Sequence, residues 1–159
     1  MGAYRRKTAH EKLLDSKDLP RVEPIVGGMR RWGEGTVVIP APLEVDAIMK
    51  GVPEGRLITI NQIRAALAKK HGATIGCPIC TGIFAGISAR AAADAKEEGD
   101  KDITPYWRTL KEGGVVNEKY PGGLEGQRVL LEKEGHTVLQ KGRKLVVQDY
   151  EKKLVDTGY

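Results

Sequence analysis

Two cysteines three positions apart come closer than any other residues of this chain to a reactive or metal-binding motif. Cys77-Pro-Ile-Cys80 has the spacing that supplies half of a zinc site or a redox disulfide. A closed zinc site needs further ligands, and His71 and His136 stand at spacings that match no zinc module. A helix and a turn precede the motif, whereas a thioredoxin-type CxxC follows a strand. The sequence therefore predicts no metal site. It leaves two interpretations of the cysteines: a thiol activated at a helix N-terminus, or buried and idle side chains.

The remaining titratable residues form no recognised catalytic arrangement. The three histidines show no Ser-His-Asp order, and no glycine-rich phosphate loop occurs. Four carboxylates cluster in one charged turn, which a solvated loop explains: Glu97, Glu98, Asp100 and Asp102. The sequence therefore predicts no cofactor and no self-sufficient enzyme.

Residues 104–123, TPYWRTLKEGGVVNEKYPGG, concentrate aromatic and turn-forming residues in a chain that is otherwise poor in aromatics. They include Tyr106, Trp107 and Tyr120, out of two tryptophans, five tyrosines and one phenylalanine in the whole chain. A Gly-Gly turn and a Tyr-Pro-Gly-Gly turn fall in the same stretch. Such a density is typical of a binding or active site.

Composition and charge restrict the classes of function. The 159 residues predict one hydrophobic core, and 40% hydrophobic with 30% charged residues describes an ordinary globular protein. No apolar run approaches the roughly 18 residues that span a bilayer. The N-terminus has no signal-peptide pattern, so we expect a cytoplasmic protein, with the nucleoid as an alternative location, and no membrane partner. The net charge of +5 is concentrated near the two ends, which favours polyanions, DNA first; a merely solvated basic surface explains it equally well.

The first half of the chain predicts short elements that lead into a helix pair. Residues 1–35 are interpreted as a basic arm that is helical only over 8–16. An edge strand over 36–39 is halted by proline, and a helix over 43–50 follows. A strand-like run over 55–60 follows, and its last threonine, Thr59, can cap the next helix.

The next two helices are joined by a short glycine-containing turn, which makes them a helix-turn-helix candidate. The first is predicted over 61–71 with Gly72 as its stop, and the second runs from Pro78 to about Glu97. Four small residues give one face of the second helix almost no side chains: Gly82, Gly86, Ala89 and Ala93. That face either packs tightly against another helix or presses into a DNA groove.

The last third predicts a helix and a hairpin. The helix covers 124–134, with Val129, Leu130 and Leu131 facing inward and Gly135 as its stop. Two strand-like runs surround Lys141-Gly142, and the final residues, 151–159, are expected to fray. A helix-turn-helix followed by a β-hairpin is the order of a winged helix.

The segment PYWRTLKEGGVVNEKYPGGLEGQRVLLEKEGH resembles the C-terminal DNA-binding domain of the O6-alkylguanine-DNA alkyltransferases and their non-catalytic relatives, the alkyltransferase-like proteins. It is similar to the family's Pro-Cys-His-Arg-Val segment, its Tyr-x-Gly-Gly turn and its closing Leu-Leu-x-x-Glu-Gly, in that order. Earlier, GRLITINQIRAAL and GCPICTGIFAGISARA resemble the family's two helix-turn-helix helices. The resemblance covers about residues 53–136.

The resemblance implies a winged helix-turn-helix DNA-binding domain. With the elements predicted outside the resemblance, the expected fold is α/β and mainly α: this domain over 36–159, an N-terminal arm over 1–35 and a C-terminal β-hairpin. It also implies minor-groove binding and rotation of an alkylated guanine into a pocket. Matched positions place six residues around that pocket: Pro105, Arg108, Tyr120, Gly122, Gly123 and Glu134. The departures lie at Tyr106 and Trp107, where the family has its cysteine nucleophile and histidine base, so catalysis is not expected.

Further departures concern the DNA contacts. Gly82 stands where the family inserts an arginine into the base stack, and Ile60 where it has a tyrosine. Thr59, Gly86 and Arg90 complete the predicted DNA-contact set. Tyr106, Trp107 and Tyr120 could hold an extruded base, since stacking contributes about 1–3 kcal/mol per base, or they could fill the former pocket as core.

The sequence therefore predicts a non-catalytic protein that binds double-stranded DNA, with O6-alkylguanine as the candidate lesion and a repair protein as a candidate partner. Two alternatives stay open. One is a methyltransferase that uses Cys77 or Cys80 from a displaced position. The other is a protein-interaction module that kept the fold, lost DNA binding and docks an acidic partner through its basic arm.

Overall fold

The computed structural model describes residues 6–157 and is a mainly helical α/β protein, as predicted. The helices are α1 (Ala9–Leu14), α2 (Pro42–Lys50), α3 (Ile60–His71), α4 (Pro78–Glu97) and α5 (Gly123–Lys133). The strands are β1 (Arg21–Pro24), β2 (Thr36–Ile39), β3 (Ile58–Thr59), β4 (Ile75–Gly76), β5 (Thr109–Leu110), β6 (Val138–Lys141) and β7 (Lys144–Val147). Short 3-10 helices occupy Gly27–Trp32, Tyr106–Arg108, Glu112–Gly114 and Tyr150–Lys153.

The helix-turn-helix is confirmed, and local signals define its ends. Thr59 accepts a hydrogen bond from the Gln62 amide at 3.2 Å, and the Gln62 side chain accepts one from the Thr59 amide in return. Gly72 ends α3 in the left-handed conformation, with φ of 67°. The turn then packs against α3, because a Cβ added to Gly76 would lie 2.6 Å from the backbone oxygen of Arg64. Only glycine allows the two segments to approach this closely.

Strand β2 is not an edge strand, which corrects the sequence prediction. It lies in the middle of a three-stranded sheet, antiparallel to β1 and parallel to β4. Strand β1 comes from the predicted arm, and β4 lies inside the turn of the helix-turn-helix. Helix α1 packs on α4, where Ala9 and Leu13 meet Ala91. Most of the described arm is therefore part of the folded domain.

The interior consists of two adjoining clusters of buried side chains. The first joins β2, α2, α3 and α4 and includes Tyr106 and Tyr120. The second joins β5, α5, the hairpin and Leu57, which directly precedes β3, with Leu131 and Leu145 among its members. Trp107 packs against both clusters.

The predictions for the last third have mixed outcomes. The inward orientation is wrong for Val129, which is 46% exposed, and confirmed for Leu131, which is buried in α5 together with Gln127. The chain end does not fray over its described part, because Leu57 donates to Lys153 and accepts from Val155 at 2.9 and 2.8 Å. The hairpin is confirmed, with Val138 opposite Val147 at its base. The observed order of a helix-turn-helix followed by a β-hairpin agrees with the predicted winged-helix class. No helix within residues 6–157 combines the length and apolarity needed to cross a membrane.

Candidate nucleic-acid interface

Glu134 is the centre of a buried polar anchor rather than of an open pocket. Its carboxylate accepts two-pronged hydrogen bonds from Arg108, at 2.8–3.0 Å, and one from the Trp107 indole at 2.8 Å. The Gly55 amide donates to the same carboxylate at 3.1 Å. The side chains of Arg108 and Glu134 are only 14% and 6% exposed. Burial raises the pKa of Glu134, but the hydrogen bonds from Arg108, Trp107 and Gly55 together lower that pKa below its ordinary value.

Arg108 therefore joins segments of the core. Its remaining donor group binds the carbonyl oxygen of Val52 at 2.7 Å, on the loop before β3. Together, Arg108 and Glu134 tie the end of α5 to the 3-10 helix Tyr106–Arg108 and to the loop between α2 and β3. This arrangement predicts a structural contribution from both residues.

Tyr106 and Tyr120 lie in the first core cluster, 7% and 4% exposed. The Tyr106 ring meets the rings of Trp107 and Tyr120 edge-on, with centroids 5.4 and 6.2 Å apart. Burial raises the pKa of the Tyr120 phenol to about 12, and it raises that of Tyr106 as well. Pro105, just before Tyr106, is buried too. The packing favours the interpretation in which these aromatic rings are part of the core. Their contact with an extruded base stays a prediction.

The glycine face of α4 opens to space rather than packing against a helix. A Cβ added to Gly82 or to Gly86 would meet no heavy atom within 4 Å beyond the neighbouring helix backbone. Ala89, by contrast, is fully buried and Ala93 is partly buried. The helix-packing interpretation is therefore wrong for the two glycines. Their stretch of α4 presents bare backbone to solvent, flanked by Ile79 and Ile83, which are 53% and 55% exposed.

A concavity of about 560 Å³ lies between this part of α4 and the segment of residues 111–120, and we call it the α4 groove. Its lining includes Gly82, Gly86, Arg90, Tyr120, Lys12 and Lys119. In the described chain, Lys12, Arg90 and Lys119 have no carboxylate within ion-pair distance, whereas Lys111 is paired with Glu118 at 2.9 Å. The α4 groove is thus a concave surface with three uncompensated positive charges.

The structure brings together only part of the predicted site. Gly82, Gly86, Arg90 and Tyr120 share the α4 groove. Arg108, Trp107 and Glu134 form the buried anchor instead.

Three further predicted residues have local structural roles. The Thr59 hydroxyl is used in capping α3. Gly122 and Gly123 adopt φ of 84° and 63° in the turn that starts α5, a conformation that glycine favours. The sequence analysis missed Lys12 and Lys119, although Lys119 directly precedes the predicted Tyr120.

The two cysteines lie at the N-terminus of α4, where Cys77 is the N-cap residue. Cys77 is buried at the N-cap of α4, where its sulfur accepts a hydrogen bond from the Cys80 amide at 3.3 Å. Burial, with Cys77 next in importance, raises the pKa of the Cys80 thiol to about 11. Cys80 is therefore protonated at neutral pH and a poor nucleophile, which argues against Cys80 as a displaced acceptor. Across residues 6–157 no three His, Cys, Asp or Glu side chains gather to hold a metal ion.

At pH 8 we expect iodoacetamide to alkylate Cys80 on the order of 100-fold more slowly than a free cysteine, because the thiolate fraction is that much smaller. The rate should still be rising at pH 10, which mass spectrometry of the peptide containing Cys80 can follow. Urea-unfolded protein is the control and should react at the rate of free cysteine. A rate that levels off below pH 8 would show a stabilised thiolate and restore the nucleophile hypothesis.

Comparison with known proteins gives a limited result. No protein-family model matches the chain, and no curated protein matches it. The solved structures that match this chain include S. pombe Atl1 in complex with damaged DNA containing O6-carboxymethylguanine, with 16% identity and a TM-score of 0.48. Another is S. pombe ATL in complex with DNA, with 15% identity and a TM-score of 0.45. Each match covers 72% of this chain and 94% of the other.

Proposed function

We propose that this protein binds double-stranded DNA through the α4 groove and performs no chemistry on it. One observation carries the proposal: Gly82 and Gly86 expose the backbone of α4 inside a concavity that holds three uncompensated cations. A phosphate backbone can approach bare helix backbone closely, and cations that neutralise phosphates release counterions and so promote binding. A lack of catalysis agrees with Tyr106 and Trp107 at the positions of the family's nucleophile and base, and with the protonated thiol of Cys80.

Alkylated guanine is the proposed lesion, and recruitment of a repair protein to the bound lesion is the proposed role. Both parts rest on the sequence resemblance over residues 53–136. With Tyr106 and Tyr120 buried, an extruded base would have to displace packed aromatic rings or lie at the rim, where Tyr120 borders the α4 groove. Lesion recognition is therefore tested separately from DNA binding.

Fluorescence anisotropy with matched duplexes, one with guanine and one with O6-methylguanine, tests both parts. We expect log K to fall linearly with log salt between about 50 and 200 mM, with a slope of about −3 if three cations each neutralise a phosphate. We also expect tighter binding of the duplex with O6-methylguanine. Negligible or salt-insensitive affinity for both duplexes would end the DNA hypothesis. Equal affinity for the two would end lesion recognition and leave a general DNA-binding protein.

A further inference from the structure

The β6–β7 hairpin carries cations at a tip that lies beyond the residues resembling the alkyltransferase domain. Lys141, Arg143 and Lys144 are all exposed in and beside the turn at Gly142. None of the three has a carboxylate within ion-pair distance in the part of the chain that the structure describes. Three positive charges in four residues repel each other, so a partner with negative charge would relieve that repulsion.

The hairpin is held firmly against the segment that forms one wall of the α4 groove. The Val116 amide donates to the carbonyl oxygen of Leu145 at 2.9 Å, and Val115 forms an antiparallel bridge with Val146. Leu145 and Val147 are buried in the second core cluster. The tip therefore has a defined position relative to residues 111–120.

A second concavity, of about 550 Å³, connects the hairpin to the α4 groove. Arg143 and Lys144 line it on one side. Lys111 and Glu118 line both this concavity and the α4 groove, so the two concavities adjoin at this ion pair. Lys141 lines a different concavity, together with Asp149 and Glu151. Lys141 and Lys144 are cross-strand partners and share one face of the hairpin, but Lys141 does not line the second concavity.

We propose that Arg143 and Lys144 form a second phosphate-binding element, which contacts the DNA backbone next to the stretch bound in the α4 groove. The proposal rests on the proposed DNA binding and extends it to the hairpin. Within the second concavity Lys111 compensates Glu118, so Glu112 is the remaining opposing charge. A polymer with regularly spaced negative charges fits two adjoining concavities that both carry cations better than a small anion does, because it can reach both sets of cations at once.

The test compares three proteins by anisotropy on one unmodified duplex over a salt series: wild type, the double variant Arg143→Gln with Lys144→Gln, and the control Lys141→Gln. The double variant should bind DNA at least 10-fold more weakly near 0.1 M salt. The slope of log K against log salt should also be smaller in size by about 2, since each lost phosphate contact lowers that slope by about 0.9. Lys141→Gln should match wild type in both. All three residues are exposed, so thermal unfolding should be unchanged.

The outcomes separate the two proposals. If wild type binds DNA with a salt slope and the double variant shares its affinity and slope, the hairpin proposal is overturned and the α4 groove proposal stands. If the double variant and Lys141→Gln lose affinity equally, non-specific charge explains the effect and the hairpin proposal is again overturned. If polyglutamate, but not DNA, loses affinity for the double variant, the hairpin binds an acidic protein instead. If wild type itself binds no DNA, both proposals fail.

Discussion

Replacing Glu134 with alanine should lower the free energy of unfolding by about 3–5 kcal/mol, because it would leave the Arg108 guanidinium buried without its counter-charge. The Arg108 and Glu134 side chains are 14% and 6% exposed, so solvent screens the pair weakly. The substitution also removes the acceptor of the Trp107 indole and of the Gly55 amide. Urea unfolding followed by circular dichroism measures the difference.

The matched control is Glu132→Ala, on the same helix. Glu132 pairs with Arg128 on an exposed surface, where solvent screens the charges and such pairs contribute little to stability. If Glu134→Ala lowers the free energy of unfolding no more than Glu132→Ala does, the buried anchor around Glu134 does not stabilise the fold.

The stability difference between wild type and Glu134→Ala should also depend on pH, with a defined sign. The pKa of Glu134 in the folded protein lies below its ordinary value of 4.5. A carboxylate with a lowered folded-state pKa stabilises the protein above its unfolded-state pKa, and this contribution is lost as pH falls through the folded-state value. The wild-type advantage should therefore be complete well above pH 4.5 and shrink in more acidic solution.

The elements that the sequence predicted correctly are those with strong local signals. Thr59 with Gln62 forms a capping box, Gly72 takes the left-handed conformation that ends α3, and Pro78 starts α4. The turn at Gly142 likewise lies between runs of strand-forming residues. Each signal acts within a few residues, so a single sequence is enough to detect it.

The missed features depend on partners distant in the chain. Strand β4 is two residues long and exists because β2 lies beside it. The chain end is ordered by Leu57, about a hundred residues earlier. No local pattern encodes such pairings.

The candidate site shows the same limit. Arg90 and Arg108 are the same residue type, and both were predicted to contact DNA. The structure leaves Arg90 exposed in the α4 groove and encloses Arg108 against Glu134. Which arginine is free to bind DNA depends on a carboxylate 26 positions away from Arg108, and spacing alone does not reveal that contact. Charge reversal at Arg108 would consequently test the fold, whereas Arg90 tests the interface.

Reversing the charges of Arg90 and Lys119 together should weaken DNA binding by at least 100-fold near 0.1 M salt and reduce the size of the salt slope by about 2. Both side chains line the α4 groove, from its two opposite walls, and neither has an ion-pair partner in the described chain. The double variant Arg90→Glu with Lys119→Glu removes two phosphate contacts and adds two repulsive charges. Anisotropy titration at several salt concentrations measures both effects.

The control is Lys69→Glu with Lys133→Glu, which changes the net charge by the same amount. Lys69 and Lys133 are exposed at the ends of α3 and α5 and line neither the α4 groove nor the concavity beside the hairpin. If DNA were held only by long-range electrostatic attraction, both double variants would lose the same affinity for DNA, because that attraction depends on total charge. A specific interface requires the variant in the α4 groove to lose far more affinity than the control. Equal losses would mean that DNA is held by overall charge and that the α4 groove is not the binding site.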